Sequence, residues 1–301
     1  MYRFTRLDYP LQALAYQEFT FPLFRSRLQR LQPEGAIVAI AASFSSQPVG
    51  LALAEILPDG KSAEVLSVFV VANHRRRLIG SELLNRLEQE LFVRGCITLQ
   101  VTYITGQPTT IGWERLLQKC GWTQPQPRMV VCKTTTDRIV HAPWMQKSSL
   151  PDAYSIFPWM EITPEERLTI KETQQANPWI PPDLIPFNHE ADCEPLNSVG
   201  LRYQGQVAGW VITHRLAPDT IRYSCSFVRR DLQKMGRIIP LYVNAINKQI
   251  DAKIPKGIWT VPYIHDGMVN FVQKRMAPYM NSVEESRGAY KTLLVTVGLG
   301  V

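Results

Sequence analysis

The chain has 301 residues, 45% hydrophobic and 20% charged, which excludes a disordered chain and suits two domains of ordinary size. Lys and Arg outnumber Asp and Glu by 33 to 26, and the surplus is confined to residues 1–150, where 17 bases face 11 acids. Such a surplus points to an anionic small ligand; no recognition motif marks nucleic acid as the partner. Residues 2–8 read as an edge strand. Residues 11–31 carry helical apolar spacing broken at Pro22, and residues 36–44 form an apolar run short enough for a buried strand. Turn residues then separate two further strands at 50–57 and 63–71.

The period changes at Ser81, after which Leu83, Leu84, Leu87, Leu91 and Phe92 trace a helical face closed by Gly95. A strand at 97–103, a helix at 111–119 stopped by Gly121, and a strand at 127–134 follow, the last expected to close the first domain. The order implies an α/β class with a mixed, α+β-like central sheet. The longest apolar stretch, 36–42, is far short of the ~20 residues of a membrane helix. The N-terminus has no signal-like run, so a cytoplasmic protein with no membrane partner is expected. Cys96, Cys120, Cys132, Cys193 and Cys225 form no CxxC pair and are read as packing residues. His189, Glu190, Asp192, Cys193 and Glu194 have irregular spacing, so no metal is expected.

The second half repeats the first. Gln47-Pro48-Val49-Gly50-Leu51 matches Gln206-Val207-Ala208-Gly209-Trp210, and Val101-Thr102-Tyr103-Ile104 matches Val261-Pro262-Tyr263-Ile264, at offsets of 159 and 160. Two matches in register imply a tandem of one fold. Residues 137–152 have no clear period, which places the boundary near 145, with domains at 1–145 and 146–301. The proline-rich stretch 177–195 is a second irregular segment, of a length that is often functional.

Chemistry concentrates in one segment. Val68, Phe69 and Val70 end a strand, and Arg75, Arg76, Arg77, Leu78, Ile79, Gly80 and Ser81 lead directly into a helix. Unpaired N–H groups and the dipole at a helix start suit a pyrophosphate, and arginines add bidentate donors. This segment resembles the signature of the GCN5-related N-acetyltransferases: Arg or Gln, two residues, Gly, one residue, then Gly or Ala. Leu116-Leu117-Gln118-Lys119-Cys120-Gly121-Trp122 is similar to the family's helix ending in glycine and an aromatic. The likeness covers about residues 2–135.

The resemblance implies two tandem GNAT-like folds, the second degenerate, and acetyl-CoA as co-substrate across Val68–Val70 and Arg75–Ser81. It also implies transfer to an unidentified amine, on a monomer or homodimer. The oxyanion would be held by backbone N–H groups of Val68 to Val70. Leu78 replaces the first glycine of the signature. Leu117 stands where relatives keep a tyrosine that protonates the thiolate, and Thr110 where they keep an asparagine. Glu64 is then the candidate base, with Glu55 behind it, and Tyr103 the candidate acid; each also fits a plain structural role. In the second copy Asp231 is read opposite the arginines, where it would repel a pyrophosphate. A CoA-binding module without catalysis is the first competing reading, and a nucleic-acid-associated protein using the N-terminal basic surplus is the second.

Overall fold

Strands rich in Val, Ala, Ile and Leu alternate with helices that bury one stripe, and in the computed structural model they sort into two compact units. The structure describes residues 1–146 and 149–293. The first unit comprises residues 1–128 and the stretch from Ser286 on; the second comprises 129–285. Chain order begins with β1 (Tyr2–Leu7), β2 (Ile37–Phe44), β3 (Gln47–Ile56) and β4 (Ser62–Val70), an antiparallel meander. Helix α1 (Ile79–Val93), β5 (Thr98–Ile104) and α2 (Thr110–Lys119) follow. The second unit takes β6 (Gln126–Thr135), β7 (Tyr154–Pro158), α3 (Pro164–Ala176) and β8 (Val199–Tyr203). It continues with β9 (Gln206–Ala217), β10 (Thr220–Val228), α4 (Ile238–Asp251), β11 (Lys256–Pro262) and α5 (Asp266–Phe271). Finally β12 (Ser282–Thr292) returns to the first unit.

The two sheets have matching strand orders, β1-β2-β3-β4-β5-β12 and β7-β8-β9-β10-β11-β6. Both the tandem and the mixed α/β class are as the sequence implies. The closing strands are exchanged. Residues 127–134 do not close the first sheet: β6 runs antiparallel to β11, from Met129 opposite Pro262 to Thr135 opposite Lys256. The first sheet is closed by residues 286–292, paired with β5. The expected division near 145 therefore lies inside the second unit, where Ile139, Ala142 and Trp144 are buried in the core. Residues 10–28 also differ from the single broken helix expected, forming short turns at Pro10–Ala13, Leu14–Phe19, Pro22–Phe24 and Arg25–Leu28. The prolines punctuate them.

Helix α1 buries Ile79, Leu83, Leu84, Leu87 and Leu91 against Ala52, Ala54, Ala63 and Val65 on one face of the first sheet. Each fully buried leucine contributes roughly 2 kcal/mol of transfer free energy. Helices α1 and α2 end alike: Gly95 and Gly121 adopt φ +89 and +75, and Cys96 and Trp122 return N–H bonds to Leu91 and Leu117. The opposite face packs Leu51, Leu53 and Leu66 against residues 13–31. In the second unit α4 and α5 cover one face, and Trp159, Ile170, Trp179 and Ile180 cover the other.

Candidate functional site

The site begins with a disagreement between two strands. Strands β4 and β5 pair in parallel only at Ser62–Thr98, Ala63–Leu99 and Glu64–Gln100. Beyond Glu64 they part, while β5 stays paired along its other edge with β12 from Thr98 to Ile104. A register shift accompanies the parting: Leu53 faces Ser67 and Ala54 faces Val65, so Leu66 is an extra residue in β4. Such a bulge bends its strand and sharpens its twist. Gly50 allows β4 to lie close to β3, since a Cβ there would come within 2.9 Å of the Phe69 carbonyl.

Strand alternation fixes what lines the gap. The Val71 N–H donates to the Val49 carbonyl of β3 at 2.9 Å, so Ser67 and Phe69 also turn their backbone groups toward β3. The N–H and C=O groups of Val68 and Val70 therefore face the gap. Of the three residues expected to hold the oxyanion, Phe69 has its N–H in the ladder. The Val70 carbonyl accepts from Arg75 Nε at 2.8 Å, which anchors the arginine loop to the strand end.

The loop itself keeps a glycine-like backbone without the glycine. Leu78 adopts φ +63 at the residue before α1, with its side chain 64% exposed and pointing away from the core. Arg76 is likewise at φ +59. Such geometry costs a leucine about 1–2 kcal/mol. It leaves the N–H groups of Ile79, Gly80 and Ser81 at the start of a 15-residue helix. Gly80 lies over Leu116 and Val70, where a Cβ would sit 3.4 Å from a Leu116 methyl group. Behind the loop, Tyr2 and His74 share a 2.9 Å hydrogen bond and Arg77 donates to the same tyrosine hydroxyl at 3.4 Å.

Glu64 and Tyr103 occupy opposite faces of the sheet. Glu64 shares the face of Leu66 and lies directly across from Glu55, a like-charge pairing relieved by Arg27 and Arg30, both bound to Glu55. No hydrogen bond or ion pair engages Glu64 among the described residues. Tyr103 packs on the helix face against Trp113, and its hydroxyl donates to Glu114 at 2.8 Å. Arg287 of β12 donates to the same carboxylate oxygen at 2.9 Å. Leu117 is fully buried beneath α2, so its position offers no proton donor. Cys120 is buried and burial raises its pKa, as befits a packing residue.

The second unit shows a parallel construction that sequence reading misaligned. Strands β10 and β11 part after Tyr223–Trp259, and Ser224 is the extra residue at the matching bulge. Gly209, which aligns with Gly50, meets the same constraint: a Cβ would lie 2.8 Å from the Phe227 carbonyl. Gln233 Nε2 donates to the Val228 carbonyl at 2.7 Å, as Arg75 does to Val70. The counterpart of Arg75–Gly80 is therefore Gln233 to Ile238, with Gly236 at φ +67 in the place of Leu78. Asp231 lies upstream of this loop and is held by Arg229 through bonds of 2.8 and 2.9 Å, so it does not face the helix start as an unpaired charge. The face opposite α4 is filled: Trp179, Ile180, Leu184, Ile185 and Phe187 pack onto Trp210, Cys225 and Phe227. The Leu184 carbonyl accepts from the Trp210 indole at 3.1 Å.

The acidic cluster at 189–194 is spent on structure. Glu190 accepts from Trp159 and Arg167, and Glu194 from Arg215. Among the described residues no helix is long and apolar enough to cross a membrane.

Residues 1–122 match the model of the acetyltransferase (GNAT) family. No curated protein matches the chain. Among solved structures, a tandem GNAT protein from the clavulanic acid biosynthesis pathway is 16% identical, with a TM-score of 0.61, over 97% of this chain and 98% of that one. A GCN5-related N-acetyltransferase from Sphaerobacter thermophilus, also 16% identical, has a TM-score of 0.62 over 96% and 95% of the two chains. The match over residues 1–122 and the likeness over the whole chain together give it the fold of a tandem GNAT protein.

Proposed function

We propose that the first unit is an acyl-CoA-dependent N-acetyltransferase that moves an acetyl group from acetyl-CoA to a primary amine of a small molecule or protein. The observation that carries this reading is the gap beyond Glu64–Gln100, which opens onto the Arg75–Ser81 helix start. A thioester supplies an activated acyl carbon; the chain supplies everything around it. The Val68 N–H points where a carbonyl oxygen would gain charge. Arg76, Arg77 and the free N–H groups of Ile79 to Ser81 suit a pyrophosphate. Glu64, at the vertex of the gap, accepts the amine proton through water. Tyr103 protonates the departing thiolate only after releasing Glu114, so solvent shares that role.

The second unit serves as scaffold in this reading, because residues 179–187 already fill its face opposite α4. Buried Leu117 and the tethered Tyr103 favour one alternative, an acyl-CoA-binding unit without turnover.

Calorimetry with acetyl-CoA, and release of free CoA with an amine panel, separate the two. Gly80→Asp should abolish binding by placing a carboxylate beside the phosphates. Glu64→Gln should lower kcat by about 10²-fold or more and shift the pH–rate profile, leaving acetyl-CoA affinity intact. Unchanged affinity in Gly80→Asp would place the ligand elsewhere, and tight binding without turnover would leave the non-catalytic reading.

A further inference from the structure

The face that carries Glu64 restricts which amines fit. We infer that the acceptor is a monoamine on an aromatic body, an arylalkylamine, and not a polycation; this rests on the acetyltransferase reading above.

Three observations carry it. The first is charge. Glu55 and Glu64 are the neighbouring carboxylates on this part of the face, and Glu55 is already claimed by Arg27 Nε at 3.2 Å and Arg30 at 3.6 Å. Glu64 alone remains to meet a cation. A polyamine or aminoglycoside brings several ammonium groups, each of which must shed water and find a counter-charge. Arg75, within 5.9 Å of the Phe69 ring centroid, adds repulsion on the same side.

The second is the wall. Past the bulge, Phe69 stacks on Phe19 with centroids 5.1 Å apart and planes at 29°. Tyr16 meets Phe19 edge-on at 6.0 Å and 82°. Phe69 is one residue beyond Val68, whose N–H faces the gap, so the ring of an acceptor attacking there would lie beside these aromatic groups. Offset and edge-to-face partners of this kind favour an aromatic guest over an alkyl one.

The third is the rim. Leu14, Phe21 and Leu23 of residues 14–23 are 58%, 62% and 75% exposed. Their apolar surface offers no groups to solvate a second ammonium. Polar groups near this wall are already engaged: Thr20 and Ser67, both buried, share a 2.7 Å hydroxyl–hydroxyl bond, and Glu18 is bound to Arg25 at 2.7 Å.

The experiment uses the full chain with acetyl-CoA and measures thiol release with 2-phenylethylamine, butylamine, spermidine and a tetrapeptide with an apolar N-terminus. The expected kcat/KM for 2-phenylethylamine exceeds those of the other three by about tenfold or more, the scale a shaped apolar pocket provides. In Phe19→Leu the ratio between 2-phenylethylamine and butylamine should collapse toward one while the KM for acetyl-CoA holds. Should that variant melt below the assay temperature, Tyr16→Leu makes the same test. A preference for spermidine or the peptide, or a ratio unmoved in a folded variant, overturns the inference and leaves the acetyltransferase reading standing. No turnover with any amine overturns both.

Discussion

Replacing Lys291 by Met should destabilise the first unit by about 3 kcal/mol, far more than loss of a surface ion pair. Lys291 belongs to β12, and its ammonium donates to both Glu88 Oε2 on α1 and the Cys120 carbonyl at the end of α2. The other oxygen of Glu88 accepts from the Trp122 indole at 2.7 Å. Glu88 is only 7% exposed at the side chain and Lys291 21%. Without the ammonium, a buried carboxylate keeps one neutral donor and no counter-charge. Orphaning a buried charge costs about 3–5 kcal/mol, and the partial exposure of Lys291 lets water in and places the expectation at the low end. Glu88→Gln removes the charge but keeps an acceptor for Trp122, so the double variant Glu88→Gln, Lys291→Met should regain at least half of the loss. Urea unfolding followed by tryptophan fluorescence, across both single variants and the double, gives the coupling. A Lys291→Met cost below about 1 kcal/mol, or a double variant no better than the single, would refute the buried-charge reasoning.

Other expectations follow from single features. Leu78→Gly relieves a left-handed leucine whose exposed side chain packs little, so stability should rise by about 0.5–1 kcal/mol, with acetyl-CoA affinity equal or tighter; a fall in the urea midpoint would contradict this. The Glu166 carboxyl is held below its ordinary range by hydrogen bonds from Arg202, so its stabilisation is complete above the unfolded pKa of about 4.3 and is lost as pH falls through the lower folded value. Melting temperature against pH should therefore drop more steeply below about pH 4 in the wild type than in Arg202→Leu. Trypsin should cut slowly after Arg138 in the native protein, because Ile139 and Ala142 are anchored in the second unit's core; rapid cleavage there would show that anchor to be weak.

Features with local causes were legible in the sequence. The switch of period at Ser81, the arginines before it and the closing glycines Gly95 and Gly121 marked the loop and its helices, because turns and caps are set by nearest neighbours. The repeat was visible through Gln47 and Gln206, and the structure supplies a reason for the glycines that travel with them: Gly50 and Gly209 stand where a strand approaches too closely for a Cβ. Strand partnership was not legible. Residues 127–134 read as a strand able to lie antiparallel beside β5 or β11, and alternation specifies faces, not neighbours. The second loop was misaligned because Asp231 was set against the arginines, although the left-handed Gly236 is the conformational landmark. Nor was the register legible that sets Gln100 beside Glu64 and so puts Tyr103, an odd number of residues further on, on the other face.

The exchanged closing strands invert the order in which the protein can finish folding on the ribosome. The sheet of the second unit is complete once β11 emerges, because its partner β6 has been waiting since early in synthesis. The first unit, made first, must wait for β12. About 180 residues separate Ile104 from its partner Ser286, which at 5–20 residues per second leaves the β5 edge open for roughly 10–40 s. An open edge is a template for any passing strand, and β6, which emerges soon after β5, is the nearest available one. Correct assembly thus requires β6 to be withheld from the sheet it follows, a kinetic problem that an ordinary single-copy fold never meets.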